Sequence, residues 1–554
     1  MKKATIRLAA VLIALAAAPQ IDALGQDITF DIVRFQVEGN SLLTAERIDR
    51  LTSPFIGRHK RYGDVQKALE ALDNEYRRLG YGTVNVYVPE QELATGVVRL
   101  QVTEAVIDKI AIVGNKHFDT ENIRASLPLL KEGIAPNMRQ LSENIQLSNE
   151  NPAKQVEVTL GVSDDENKVN AKIQVTEENP IRTFLTLDNT GAKASGKSRI
   201  GVSWQNANVL NADQVLTLAY TTTPDAPSGV KVDIFSVGYR LPIYAIGDSV
   251  DLIYGNSSTN TPSISPNLGG GLAINGKGQV FGLRYNHIFA RQGEYSSRLV
   301  AGFDYKYMNT RCIDPTTGAS FSIDPPIPGN AACTPYTLRP VSATYSGQWL
   351  QPGQIIDFNI GLSHHLFPMG VGYSFGPYAN GDSGFDRYSA ANSRRIKSEF
   401  TVLRAGGSYS KMLANEWLIR AALTAQYTPS ALPSSEQIGL VGSTTVRGFN
   451  ERALSTDKGY VGNLEAYSPE IAPALGLSGN LKVLIFYDWS NGYNLGTHPS
   501  YMQANASSIG VGLRYNLKKD ISARFDLARV FDSNSPTTSI QGDLRGHFSF
   551  AYGF

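Results

Sequence analysis

Beyond Ile181, apolar positions alternate with small or polar ones in runs separated by Gly-, Asn-, Ser- and Asp-rich turns, a period of two that predicts strands. Arg199 to Trp204, Gln214 to Tyr220, Val230 to Tyr239, Leu299 to Tyr307, Trp417 to Tyr427 and Leu481 to Trp489 are representative. About sixteen such segments fit between residues 181 and 554, each of about 9–11 residues, with short turns at one end and longer loops at the other. The longest predicted connections are Asn309 to Thr334 and Phe367 to Arg394. The final run puts Phe548, Phe550, Tyr552 and Phe554 on one face and Ser549, Ala551 and Gly553 on the other. An aromatic stripe with no following chain to cover it reads as lipid-facing. A soluble sandwich or propeller fits less well, because no blade-length repeat recurs. The expectation is a transmembrane β-barrel of about sixteen antiparallel strands over residues 181–554.

Residues 28–179 have a different texture. Phe35-Gln-Val-Glu-Gly-Asn40 returns as Ile110-Ala-Ile-Val-Gly-Asn115, and Gln101-Val-Thr-Glu104 returns unchanged as Gln174-Val-Thr-Glu177. Similar offsets for both pairs indicate duplication of a whole unit. Each unit opens on an alternating strand with a Gly-Asn turn and closes on another strand. Val65 to Leu79 carries Leu69, Leu72, Tyr76 and Leu79 at helical spacing. Two α+β modules are predicted, at 28–105 and 106–179.

Composition adds the compartment. The chain has 554 residues, with Lys+Arg 51 against Asp+Glu 50, so no net field selects nucleic acid. Lys2, Lys3 and Arg7 precede an apolar core from Leu8 to Ala18, and Ala23-Leu-Gly25 offers a cleavage site, so residues 1–25 read as a signal peptide. In an exported protein Cys312 and Cys333 are expected to pair, closing a loop worth roughly 3 kcal/mol in the chain-entropy model. A reactive or metal-binding thiol pair is the alternative, but no His cluster accompanies it.

Gly191 to Ser198 matches the phosphate-binding loop pattern to the letter. A strand on each side and an exported location make it a hairpin turn, with no nucleotide. His364-His365 project to opposite faces of a strand and do not form a ligand pair. No catalytic arrangement, metal site or cofactor motif emerges, so enzymatic function is not expected.

One constellation carries chemistry. Val446, Arg447, Gly448 and Phe449 lie in a long connection, about 428–458. Two strands later, Val483, Ile485, Tyr487 and Trp489 share one face and Leu484, Phe486 and Asp488 the other. If the first face meets lipid, the second faces a lumen where apolar side chains need cover. A loop folded inward, with Phe449 on Phe486 and Arg447 on Asp488, supplies it. Glu465, on the intervening strand, is a second candidate acid. An Arg–carboxylate fork in a partly dehydrated lumen is strong, and losing one partner strands the other.

At these residues the chain resembles the two-partner secretion outer-membrane transporters, the haemolysin-activator and filamentous-haemagglutinin-exporter branch (TpsB) of the Omp85 superfamily. Val37 to Asn40, Gly96 to Glu104 and Leu147 to Pro152 resemble segments of paired POTRA domains. Asp188 to Gly196 resembles the barrel entry, Val446 to Phe449 the signature of the inward sixth loop, and Phe486-Tyr-Asp488 the strand that receives it. Gly510 to Arg514 and the terminal Phe554 fit too. The sequence departs at Ser490, where the family often has Gly, and in leaving only a few residues between the expected cleavage site and Ile28 for the family's plug helix and Pro-rich linker. The resemblance implies an outer-membrane location with periplasmic POTRA domains, and export of a large, β-helical partner protein met unfolded by those domains. It also implies contact with outer-membrane lipid, and recognition of the last strand (Phe548, Phe550, Tyr552, Phe554) by the barrel assembly machinery. An assembly factor that inserts other barrels, or a diffusion porin, are the alternatives.

Overall fold

The computed structural model describes residues 29–92, 95–191, 195–228, 230–258, 278–308, 336–366, 396–397, 399–495, 503–534 and 542–554. The expected signal peptide, the two longest connections and the Cys312–Cys333 pair fall outside these residues. The chain forms two compact units, one through Ala105 and one from Val106 onward.

In the first unit, strand Arg34–Glu38 runs parallel to Val97–Glu104, which pairs antiparallel with Val84–Tyr87. Helix Tyr62–Leu79 lays Val65, Leu72 and Tyr76 on this sheet against Val98, Leu100 and Val102. It begins before the apolar stripe because Asp64 Oδ2 accepts the Arg61 N–H (3.0 Å), and it ends at Gly80 in the left-handed region. In the second unit the same plan recurs. Val106–Val113 runs parallel to Lys168–Glu177, which pairs antiparallel with Lys154–Val162, under helices Thr120–Ser126 and Met138–Ser148.

The two repeated motifs touch each other in each copy. Gly39 (φ 77°) and Gly114 (φ 93°) turn so tightly that a Cβ would lie 2.2 Å from the Val102 carbonyl oxygen and 2.3 Å from that of Val175. The glutamate closing each copy accepts the N–H groups that follow the turn. Glu104 takes Ser41 (2.8 Å) and Leu42 (3.1 Å); Glu177 takes Lys116, His117 (2.6 Å) and Phe118 (3.0 Å). The duplicated letters are thus one clamp joining the ends of each module.

The sixteen strands of the barrel, from Ile181–Asp188 to Leu544–Gly553, are all antiparallel, and the last closes on the first with Ser549 opposite Asp188 and Gly553 opposite Phe184. One strand is interrupted at Arg339, between Tyr336–Leu338 and Pro340–Gln351. Several strands are longer than the sequence pattern predicts, reaching 15 residues in Gly278–Gln292 and Gln503–Leu517. They run past the roughly 25 Å apolar band into the connections, where hydrophobic alternation no longer marks them. Leu185, Leu187, Phe281, Leu283, Ile485, Phe548, Phe550 and Tyr552 are exposed on the outer face, a surface suited to lipid. Gly191 to Arg199 connects the first two strands, with the Gly191 N–H donating to the Lys197 carbonyl (2.9 Å). It is a hairpin connection.

The second module and one end of the barrel share a core, since Ala207 and Val215 join the cluster of Phe118, Ile123, Leu141 and Val156. At its centre the turn Leu210–Asp213 holds three non-glycine residues at positive φ: Leu210 (56°), Asn211 (54°) and Asp213 (57°). Such a turn is strained by about 1–3 kcal/mol per residue unless neighbours hold it. Here the Asn122 amide donates to the Asn211 carbonyl (2.9 Å), Asn211 donates to Asp119 (2.7 Å), and Asn151 donates to the Ala207 carbonyl (2.7 Å). Lys154, fully buried, pairs with Asp213, which also accepts the Tyr244 hydroxyl (2.6 Å). Burial pushes the Lys154 ammonium below its ordinary pKa even beside Asp213, and pushes the Tyr244 phenol well above its own. Glu150 reaches across to Arg240 (3.0 Å) and Arg298 (2.8 Å).

Lys154→Met leaves the Asp213 carboxylate buried without its cation, and is expected to loosen the second module by about 3–5 kcal/mol. Adding Asp213→Asn, which keeps an acceptor for Tyr244 and tolerates positive φ, should recover most of that loss. Hydrogen exchange across residues 106–178 in the intact chain checks both.

Candidate functional site

The connection between strands Leu418–Tyr427 and Lys458–Tyr467 folds into the barrel. A short ladder, Ile438–Gly439 with Ser455–Thr456, gathers its base, and Val441 bridges to Val446. Leu440, Val441, Val446, Phe449 and Leu454 form a buried cluster with Val461, Ala506 and Val530 of the wall. The loop tip is therefore held by apolar packing on three strands.

Arg447 lies at the tip, only 2% exposed. Its Nε and Nη2 donate to the two oxygens of Asp488 (2.7 Å each), and its backbone N–H donates to Asp488 Oδ2 (3.2 Å). Nη1 lies 3.0 Å from Glu465 Oε1 and 3.3 Å from Asp526 Oδ1. The guanidinium carbon sits 3.4 Å from the centre of the Phe486 ring, a stacked cation–π contact. Gly448 (φ 102°) follows, with Val530 Cγ2 3.0 Å from where a Cβ would stand, and its N–H donates to His547 Nε2 (2.9 Å). That bond fixes the His547 tautomer, with its proton on Nδ1.

Each acid serves further cations. Glu465 accepts Arg420 (3.1 Å) and the Tyr467 hydroxyl (2.8 Å); Asp526 accepts Arg514 (2.8 Å) and Arg524 (2.6 Å). Asn463 donates to Asp488 Oδ1 (2.8 Å) and to the Thr445 carbonyl (3.0 Å). A second polar contact lies nearer the loop base, where Glu436 accepts Lys306 (2.7 Å) and Arg404 (3.1 Å).

The structure brings Val446, Arg447, Gly448, Glu465, Phe486 and Asp488 together. It separates Phe449 from Phe486. Phe449 packs with Val461, Ala506 and Val530, while Phe486 sits with Leu484 and Ala528. The expected ring pair fails because the planar guanidinium occupies the face of Phe486, and Gly448 turns Phe449 toward the neighbouring strands. Ser490 is buried on the lumen side, its hydroxyl without a hydrogen-bond partner. His365 stacks on Phe400 (5.1 Å) while His364 meets Thr401 (2.9 Å), so the two histidines diverge. Phe548, Phe550, Tyr552 and Phe554 lie outside, away from the loop.

Asp526 and His547 are the participants that sequence reasoning missed. The signal for Asp526 was present: Ser522, Arg524 and Asp526 recur at period two, opposite Phe525 and Leu527. Among the described residues, no group of three or more His, Cys, Asp or Glu is placed to hold a metal. What the arrangement can do is anchor a long loop to several strands by one charge.

Residues 30–105 match the model of the POTRA domain, ShlB-type. Residues 167–315 and 350–515, together more than half of the chain, match the haemolysin secretion/activation protein ShlB/FhaC/HecB. The outer membrane transporter CdiB of Escherichia coli is 23% identical over 471 residues, 83% of this chain and 72% of the relative. The heme/hemopexin transporter protein HuxB of Haemophilus influenzae (strain 86-028NP) is 19% identical over 547 residues, 94% of this chain and 87% of the relative. Among solved structures, CdiB from Escherichia coli superposes with a TM-score of 0.72 at 18% identity, covering 97% of this chain and 93% of that one. CdiB from Acinetobacter baumannii gives 0.68 at 16% identity, covering 95% and 90%. The likeness extends to the whole fold.

Asp488→Ala should release the loop, lowering stability by about 3 kcal/mol, because Arg447 loses both fork bonds and the acceptor of its backbone N–H and keeps only the Nη1 contacts to Glu465 and Asp526. Glu465→Gln, which leaves Asp488 and Asp526 in place, should cost a fraction of that. Limited proteolysis within residues 428–457, together with denaturant unfolding of the inserted barrel, separates the two.

Proposed function

Since the chain belongs to the haemolysin secretion/activation protein family, ShlB/FhaC/HecB, we propose that its Arg447 network sets the pore state of a transporter that passes an unfolded partner protein through the barrel. The chain is an outer-membrane transporter of partner proteins, with its POTRA domain in the periplasm. In this reading residues 106–179 are a second POTRA domain, supported by the repeated clamp of Glu104 and Glu177. Their strand edges receive the extended partner by β-augmentation, which demands little of its sequence. The partner is large and β-helical, and its folding outside draws it through without nucleotide. The chain moves the partner and catalyses no reaction on it. The outward aromatic stripe ending at Phe554 meets lipid and presents the last strand to the barrel assembly machinery.

The observation that carries the mechanism is the bidentate Arg447–Asp488 fork, buried in a lumen that must otherwise be wet. A passing chain requires the loop to shift, and a shift exposes a guanidinium that three carboxylates are arranged to recapture.

Arg447→Ala and Asp488→Ala are expected to insert as barrels yet abolish release of a co-expressed partner into the medium. Full release by both removes the role assigned to them. Deletion of Phe30 to Asn179 should abolish release while a passive porin would still conduct solutes.

A further inference from the structure

The wall opposite the loop carries a feature that the Arg447 network leaves unexplained. A cavity of about 740 Å³ separates helix Met138–Ser148 from the lumen face of the barrel. Gln146 on this helix donates to the Phe289 carbonyl (3.3 Å), so the helix is seated on one side of the mouth and the cavity opens on the other. Its barrel side is lined by Gln348, Asp357, Asn359 and Ser408, side chains that hydrogen-bond readily, and by the cations Arg291, Arg298 and Arg420.

One rung nearer the periplasm the same face turns apolar. Gln348 is paired with Asp357, and Leu350 with Ile355, two residues along each strand. Side chains two apart share a face, so Leu350 and Ile355 point to the lumen directly below the cavity. Ile355 is paired with Ser410 and Ser410 with Arg420, whose guanidinium contacts the lumenal Glu465, which fixes the direction independently. Met412, two residues beyond Ser410, continues the strip. Leu350 is 48% exposed, Ile355 36% and Met412 45%. Large exposed apolar residues are common on an outer, lipid-facing surface, but here they stand at an aqueous mouth, next to a polar slot.

We propose that Leu350, Ile355 and Met412 form the landing strip on which the unfolded partner enters the barrel, and that the slot above them, between helix Met138–Ser148 and the wall, is its path. The inference rests on the export reading and specifies where the partner first meets the pore. The occupant is chosen by chemistry and continuity. An extended segment presents apolar side chains on alternate residues and unpaired amides between them. The strip accepts the first, and Gln348, Asn359, Ser408 and Asp357 accept the second. The slot is continuous with the surface on which the second module docks, so a chain released from that module meets the strip next. Burial on the strip is weak enough to be transient, as passage requires.

The test uses the full chain co-expressed with its exported partner. A photo-crosslinking residue at Leu350 or Met412 should capture the partner during export, and one at the outward-facing Trp349 should not. Leu350→Ser/Ile355→Ser/Met412→Ser should insert normally and slow release about tenfold, the factor that corresponds to roughly 1.4 kcal/mol of lost contact. Adducts only to lipid or to this chain's own modules, or equal capture at Trp349, overturn the strip. So does undiminished release by the triple variant beside an active wild type. If the wild type itself releases no partner, the export reading falls and takes this inference with it.

Discussion

A positive charge placed inside a protein-lined lumen must be neutralised locally, and Arg447 meets that requirement from three strands at once. Asp488, Glu465 and Asp526 come from Asn480–Tyr493, Lys458–Tyr467 and Ile521–Asn534, and His547 on the closing strand takes the next N–H of the loop. Arg514, on the strand between, shares Asp526. One loop tip is thereby tied to five neighbouring strands ending at the closure. Removing water strengthens each contact, and the same dryness makes any vacancy costly. The apolar cluster around Phe449 supplies that dryness, so packing and charge depend on each other.

This arrangement divides the lumen. The loop tip and its acids pack on the wall from Lys458 to Leu544 onward, while the wall from Gly278 to Tyr427 meets the loop base through Glu436 and, nearer the periplasm, keeps the polar slot and its apolar border. The second module reinforces the division by seating its helix on the open side. A pore built this way does not need to widen evenly to admit a chain, because the loop tip is gathered on one side.

Much of the site was legible because strands announce their faces. The alternation from Leu481 to Trp489 places Asp488 and Phe486 inward with no further information, and the aromatic alternation to Phe554 places those rings outward. The duplicated Gly-Asn and Gln-Val-Thr-Glu segments mark two modules, though not that each glutamate clamps its own turn, since that contact joins residues about 60 positions apart. Phe449 was misplaced for a different reason. Facing residues suggest that ring meets ring, but pattern cannot register that a guanidinium is flat enough to take the same face. Asp526 was hidden by distance along the chain, and the left-handed turn at Leu210 by composition, since leucine gives no warning of positive φ.

That turn has a bearing on biogenesis. Leu210, Asn211 and Asp213 connect the second and third barrel strands, yet what steadies them belongs to the module before the barrel. This hairpin is thus shaped by a part of the molecule outside the barrel wall. A chain whose second module is misfolded would lose these supports, and the hairpin of the second and third strands would carry its strained turn unbraced. The joint ties the shape of one barrel hairpin to the folding of the module beside it.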